Sequence, residues 1–409
     1  MWTERWCWRE TRKGKSVLLQ VIAFALIALL GVDNAAAQQN VNSGFNFEGI
    51  DAFWEIVAIL ESDVEPTESQ WDAFFETPGY KRLSEEFGRD YFMDALRAVF
   101  LPSQRGLAEE MERDFSERGG FLGWYTPLVL EGFRAASRDR AWQRERVQEL
   151  KTYPYLARAA KYALQYLPED TVTEYPAVDF VVFSDSRGYT PLIMGITGND
   201  TPPAHQLACL REQGLDRHFP FTLLMAHESY HLYRASVQEI EFPGDDHPDY
   251  PIVWTLDQMV NEGIGDLINR KSLYAGDGCL ADSDAGVRFR EDQRAQPATI
   301  RVMNLIFSEL GDAPELSDRL GRQFQSFVPQ SGHPTGFYMA NLIEEELGAE
   351  ELKHVVRNPF RFFALYNRAA EADGSAPAFS EEAMAYLRSL AAKYVKPRHR
   401  ARGAGALRE

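Results

Sequence analysis

The sequence predicts an α+β fold that is mostly helical, and three observations support this prediction. Apolar residues recur at helical spacing throughout residues 49–167, where we expect four to six helices. Two β-branched and aromatic runs follow at 178–184 and 189–197, and we predict that both are strands, the second with Pro191 near its start. Beyond Pro220 the helical spacing returns in six stretches: 221–237, 254–271, 298–310, 316–328, 336–347 and 380–394.

Residues 1–37 have the three parts of a secretory signal peptide. Five Lys and Arg residues within 1–16 precede an apolar run at 17–32, and the Ala-rich end at Ala37 suits cleavage. The apolar run has 16 residues, fewer than the roughly 20 that a membrane-spanning helix needs. We therefore predict cleavage after Ala37, no stable membrane span in the mature chain, and a periplasmic or secreted protein. An uncleaved N-terminal anchor is the alternative.

Removal of this leader leaves three predicted parts. Residues 38–167 form a helical N-terminal region, 168–395 form a second domain with the strands and the later helices, and 396–409 form a mobile tail without periodicity. The N-terminal region could instead be a removable prosegment, although no cleavage signal supports that alternative.

The chain is strongly acidic. It has 43 Lys and Arg against 61 Asp and Glu, a formal charge of −18, and loss of residues 1–37 would leave 38 against 58, or −20. Nucleic acids bind to patches of Lys and Arg, so this charge argues against a nucleic-acid partner.

Two cysteines, Cys209 and Cys279, remain once the leader is removed. An even pair in a chain bound for an oxidising compartment predicts a disulfide. The disulfide would close a loop of about 70 residues, for which chain-entropy estimates give ~4 kcal/mol of stabilisation. Two separate buried thiols are the alternative.

The segment that carries chemistry lies inside the helix predicted at 221–237, where His227, Glu228 and His231 form an H-E-x-x-H motif. Residues four apart share one face of a helix, so the two imidazoles can hold a single Zn²⁺ at about 2.0–2.1 Å each. Glu228 lies beside the metal and is placed to act as a base towards water. Because the surrounding helix is apolar, these polar groups need partners, which a metal would supply.

A catalytic zinc needs a third protein ligand and one position left open for water. Glu262 is our candidate, since it lies 31 residues after His231 in the apolar helix predicted at 254–271, and it shares a helix face with Asp266. His247 is an alternative ligand, although its place in a Pro- and Gly-containing segment favours a surface loop histidine.

The order H-E-x-x-H followed by N-E-x-x-x-D resembles the gluzincin peptidases, the thermolysin-like group of zinc metallopeptidases. It is also similar to uncharacterised bacterial families of zinc-dependent peptidases. The resemblance is specific over about residues 221–271 and extends back to the strands at 178–197. It implies a zincin-like core for the domain at 168–395 and a peptide or protein substrate, and it gives no guidance for 49–167.

The resemblance also implies a role for each matching residue. His227, His231 and Glu262 would bind Zn²⁺, and Glu228 would be the general base. Asp266 would accept a hydrogen bond from a ligand imidazole, by analogy that of His227, and so fix its tautomer.

Two further features are expected from the same resemblance. A donor opposite the metal stabilises the tetrahedral intermediate, usually a Tyr or a His, and the segment 331–340 offers His333 and Tyr338. The alternatives are a capping or surface role for His333 and a packed core position for Tyr338. The run at 192–197 would be the edge strand that pairs with substrate, or else an ordinary sheet strand.

The leading hypothesis is therefore zinc-dependent hydrolysis of peptide bonds outside the cytoplasm. A non-catalytic binding or assembly protein with a structural zinc is an alternative of another class, but such a site normally has a fourth protein ligand, and none lies near in sequence. A zinc hydrolase that acts on a non-peptide amide is a third hypothesis, because it would use the same residues.

Overall fold

The structure is a computed structural model. It describes residues 44–395 except 105, 119, 172–174, 185, 187–191 and 198–202, and these described residues belong to one unit that begins at Gly44. The predicted leader with its cleavage site, the predicted tail and Pro191 lie outside the described residues. The predicted division between residues 167 and 168 stays a prediction.

The N-terminal region is helical, as predicted, but its described part contains eight α-helices where we expected four to six. Pro and Gly divide it more finely than the apolar spacing indicated, because Pro78 begins one helix and Gly88, with φ of 91°, separates that helix from the next. The helices are α1 (Glu48–Glu61), α2 (Glu68–Glu76), α3 (Pro78–Phe87), α4 (Arg89–Phe100), α5 (Leu107–Arg118), α6 (Gly120–Arg138), α7 (Arg140–Thr152) and α8 (Tyr155–Ala163).

The described strands form one small parallel sheet. They are β1 (Phe45–Asn46), β2 (Val178–Val181) and β3 (Leu192–Gly195), in the order β1-β2-β3. Both predicted strands are present, although each is shorter than expected, whereas the two-residue β1 was not predicted. All four residues of β2 are buried, as in parallel sheets that are covered on both faces. β3 lies at the edge of the sheet and contacts the helix that carries the H-E-x-x-H motif.

The C-terminal half is helical, and each of the six predicted stretches corresponds to a helix. Pro297 does not interrupt its helix, which therefore begins earlier than the sequence indicated. Two helices of nine residues or more, α9 and α17, were not predicted. The helices are α9 (Ala204–Glu212), α10 (Phe219–Val237), α11 (Tyr250–Asn269), α12 (Lys271–Tyr274), α13 (Asp284–Asp312), α14 (Ser317–Phe327), α15 (His333–Leu347), α16 (Ala349–Lys353), α17 (Pro359–Asp373) and α18 (Glu381–Tyr394).

Helix α11 lies in the core between α10 and α15. Its contact with α15 is unusually close, because a Cβ atom built on Gly336 would lie 1.9 Å from the carbonyl oxygen of Met259 and 2.9 Å from the Cα of Gly263. Real Cβ atoms do not approach so closely, so only glycine at these positions lets the two backbones touch. The contact brings the first turn of α15 against the middle of α11.

A buried ion pair joins α10 to α11. The guanidinium of Arg234 donates to both carboxylate oxygens of Asp257, and the two side chains are only 3% and 5% exposed. The same guanidinium lies 3.3 Å from the side-chain oxygen of Asn261, and the Gln238 amide donates to Asp257 over 2.8 Å. These bonds fix how far α10 can slide along α11.

The predicted disulfide between Cys209 and Cys279 is present, with 5.5 Å between the two Cα atoms. It links α9 to the segment after α12, so the closed loop contains both α10 and α11. None of the helices in the described part of the chain combines the length and the apolar character that crossing a membrane requires.

We expect Asp257→Ala to destabilise the fold by about 3–5 kcal/mol, because Arg234 would remain buried without its counter-charge. The free energy of unfolding from urea denaturation measures this. Glu131→Ala is the control, since the Glu131–Arg138 pair is solvent-exposed and exposed pairs contribute little. If Asp257→Ala lowered the free energy of unfolding as little as the control does, this would contradict a role for the ion pair in holding the two helices together.

Candidate metal centre

Three side chains from α10 and α11 converge on one point. The Nε2 atoms of His227 and His231 lie 3.2 Å and 3.3 Å from the same oxygen, Oε2 of Glu262, and the three residues offer ligand atoms within 4.8 Å of one another. Bonds of about 2.0–2.1 Å at tetrahedral angles separate two ligand atoms by about 3.3 Å. The spacing and the donor types therefore fit a tetrahedral Zn²⁺ with three protein ligands.

Gly265 makes room for the first imidazole. A Cβ atom at this position would lie 2.8 Å from Cε1 and 2.9 Å from Nδ1 of His227. The His227 ring therefore rests directly on the backbone of α11, and this places its Nε2 atom near Glu262. Gly265 was not among the residues singled out from the sequence, although a glycine inside a helix costs about 1 kcal/mol relative to alanine and therefore often has a packing reason.

Asp266 is fully buried and faces three groups. Its Oδ1 atom lies 3.0 Å from Nε of Arg270 and 3.6 Å from Nδ1 of His227, while Oδ2 lies 3.1 Å from Nδ1 of His333. A separation of 3.6 Å is too long for a hydrogen bond, so the hydrogen bond expected with His227 is instead made with His333. Burial by itself would raise the pKa of Asp266, but Arg270 and His333 lower it below its usual value.

The structure places His333 in the centre as well. Its Nε2 atom lies 3.3 Å from Oε2 of Glu262, and its ring is nearly parallel to that of His227 at a centroid distance of 5.9 Å. His333 begins α15, directly after Gly332, whose φ is 97°. The close contact between α11 and α15 explains how a residue 71 positions beyond Glu262 reaches it.

The other predicted residues lie in different surroundings. Glu228 is buried beside His227 on α10, with 7% of its surface exposed, and its charge acts on His231. The charges that act on the phenol of Tyr338 are those of Asp373 and Arg301, and neither residue belongs to the centre.

The alternative ligand His247 is also placed elsewhere. Its Nδ1 atom accepts a hydrogen bond from the backbone N–H of Asp249 over 3.1 Å, and its ring contacts Tyr394. Nothing in these contacts links it to His227, His231 or Glu262, so Glu262 is the better candidate for the third ligand.

Charges around the centre compensate one another. Burial disfavours the charged form of His231, but the carboxylate of Glu262 outweighs this effect and raises the pKa of His231 to about 9. Burial likewise disfavours a charged Glu262, yet His231 and His333 hold the pKa of this carboxyl well below its usual range. Glu262 is therefore ionised, as a metal ligand must be.

Two cavities in the described part of the chain can be compared with the position of the centre. The larger, about 440 Å³, lies between α1 and α7 and contains none of the predicted site residues. The smaller, about 380 Å³, adjoins the centre, because Arg270, the partner of Asp266, forms part of its wall together with Gln330, which lies three residues before His333.

We expect Gly265→Ala to weaken zinc binding about 10- to 100-fold, the usual effect of displacing a group that orients a ligand. The added methyl group would collide with the ring of His227. Gly311→Ala is the control, because a Cβ there would meet other atoms at 3.8 Å, an ordinary contact distance. Titration of both proteins with zinc against a chelating dye measures the affinities. Equal affinities would show that the ring does not depend on Gly265.

Comparison with known proteins agrees with the chemistry of this centre. A family model described as "Putative zinc dependent peptidase (DUF5700)" matches residues 71–375, about three quarters of the chain, including α10 and α11. No curated protein and no solved structure matches the chain. The extent of the family match shows that the chain belongs to this zinc-dependent peptidase family.

Proposed function

We propose that the protein is a zinc metallopeptidase of the gluzincin type that cleaves peptide bonds outside the cytoplasm. The observation that carries the proposal is the convergence of His227, His231 and Glu262 at the spacing of tetrahedral zinc ligands. The three ligands leave the fourth position for water and substrate. A zincin-like core, built from α10, α11 and the edge strand β3, is part of the same proposal.

Zinc, when bound, would lower the pKa of water and polarise the carbonyl of the scissile bond. Glu228 follows the first ligand in the sequence and would take a proton from the attacking water. It would then return that proton to the nitrogen of the leaving amine. His227 and His231 would act as neutral imidazoles, each with Nε2 directed to the metal.

A structural role for zinc is less consistent with this geometry. A structural site is usually closed by a fourth protein ligand, whereas the metal-ligand group in the described residues consists of three. Hydrolysis of a non-peptide amide would use the same groups, and the family description favours a peptide.

We propose that the protein is exported from the cytoplasm. The disulfide between Cys209 and Cys279 is suited to an oxidising compartment, and the sequence of residues 1–37 has the pattern of a cleavable leader.

We expect Glu228→Gln to bind one zinc per chain and to lose about 10²- to 10⁴-fold in kcat, the range typical of a lost general base. Digestion of a peptide library, with elemental analysis of the same samples, measures both quantities. A chelator should abolish digestion by the wild-type protein, and added zinc should restore it.

Glu262→Ala is the matched control, because it also removes a carboxylate from the centre. This variant should no longer bind zinc, whereas Glu228→Gln should still bind it. Undiminished hydrolysis by a zinc-loaded Glu228→Gln protein would exclude Glu228 as the base. A wild-type protein that holds zinc and cleaves no peptide would contradict the proposed function.

We expect the apparent affinity for zinc to rise with pH. Zinc binds neutral imidazole, and the pKa of His231 is raised to about 9 by Glu262, so below that pH a proton must leave His231 when zinc binds. The dissociation constant should therefore fall about tenfold per pH unit for one released proton. Zinc titration between pH 6.5 and 8.5, corrected for protonation of the competing chelator, measures the slope. A constant affinity over this range would contradict the expectation.

A further inference from the structure

His333 has a carboxylate at each end of its imidazole ring. Nδ1 lies 3.1 Å from Oδ2 of Asp266, and Nε2 lies 3.3 Å from Oε2 of Glu262. Each ring nitrogen of His333 therefore faces a carboxylate oxygen. This arrangement differs from the role of an oxyanion donor that the sequence led us to expect.

His333 is also not arranged as a fourth ligand. The ligand atoms of His227, His231 and Glu262 lie within 4.8 Å of one another, and this group does not include His333. Its Nε2 atom instead approaches the oxygen of Glu262 that faces the other two imidazoles. His333 therefore contacts the candidate ligand Glu262 and is not itself one of the three candidate ligands.

The backbone before His333 is shaped for this contact. Gln330, Ser331 and Gly332 have φ values of 48°, 52° and 97°, so three successive residues adopt the left-handed region that side chains rarely occupy. A Cβ atom on Gly332 would lie 2.7 Å from Cγ of Met259. The turn therefore lies directly on α11, about one helical turn before Glu262.

Helix α13 forms hydrogen bonds with the first turn of α15. The hydroxyl of Thr335 donates to the side chain of Gln296 over 2.8 Å, and both residues are buried. The amide of Gln293 donates to the backbone carbonyl of Pro334 over 3.2 Å. These bonds hold the beginning of α15 in place.

Asp266 in turn fixes the ring of His333. Its Oδ1 atom forms an ion pair with Nε of Arg270 at 3.0 Å, and its Oδ2 atom lies 3.1 Å from Nδ1 of His333. Asp266 is fully buried. The His333 ring is thus held at Nδ1 and presents Nε2 to Glu262.

We propose that His333 is a positioning residue that aims the carboxylate of Glu262 at the metal, a role that rests on the proposed zinc centre. Loss of His333 would leave Glu262 free to rotate and would weaken metal binding. The chemical step would change little once zinc is saturating, because His333 would not contact the substrate.

Two substitutions separate the two contacts of His333. In His333→Gln the amide nitrogen lies about as far from the backbone as Nε2 of histidine and can still donate to Glu262. In His333→Asn the amide nitrogen lies about as far from the backbone as Nδ1 and can still donate to Asp266. We expect His333→Asn to lower zinc affinity about 10- to 100-fold and His333→Gln to restore most of the loss. His354→Ala, at an exposed histidine, is the control and should keep the wild-type affinity.

Three measurements on the full chain test the proposal: zinc affinity, the visible spectrum of the Co²⁺-substituted protein, and kcat at saturating zinc. Positioning predicts lower affinity in His333→Asn, an unchanged Co²⁺ band pattern and a kcat within about threefold of wild type. Unchanged affinity with a kcat reduced about 10²- to 10³-fold would overturn the proposal in favour of an oxyanion donor. An altered Co²⁺ band pattern in both variants would overturn it in favour of a fourth ligand.

The affinity measurement does not depend on peptide hydrolysis. If the wild-type protein binds zinc but cleaves no peptide, the proposed function fails, and the affinities of the variants still test His333. If the wild-type protein cleaves peptides and both variants bind zinc as tightly as the control, the positioning role fails and the proposed function stands.

Discussion

The buried carboxylate of Asp266 sets the main constraint on this structure. A charge that is removed from water is costly unless donors or cations surround it. Asp266 is approached by His333, by Arg270 and, at the longer distance of 3.6 Å, by His227. His227 belongs to α10 and His333 to α15, and Arg270 directly follows α11. The carboxylate is compensated only when all three helices are in place, so the packing that satisfies Asp266 also assembles the candidate metal ligands.

Close backbone contacts make this assembly possible. Gly263 and Gly336 let α11 touch α15, and Gly265 lets the ring of His227 lie against α11. The ion pair between Arg234 and Asp257 then fixes α10 along α11. Small residues determine how near the helices come, and buried charges determine their register, so the ligand distances follow from both.

Much of the centre could be predicted from the sequence, because the spacing of His227 and His231 acts within one helix and needs no knowledge of tertiary contacts. The partners of His333 depend on a glycine contact between two distant helices, which helical periodicity does not reveal. His333 and Tyr338 were both candidates in the sequence, and the closely packed first turn of α15 brings His333 to Glu262. Similarly, a helix was predicted only from residue 298 onwards, whereas the helix begins at Asp284 and continues through Pro297.

The disulfide has a consequence for a chain that is exposed to peptidases. Cys209 precedes α10 and Cys279 follows α11, so the bond encloses both ligand-bearing helices. The segment between these helices includes solvent-exposed residues around Gly244, and exposed loops of this kind are the preferred sites of cleavage by other enzymes. A molecule nicked there would remain one covalent body, and its two histidines and its glutamate would not drift apart as separate fragments.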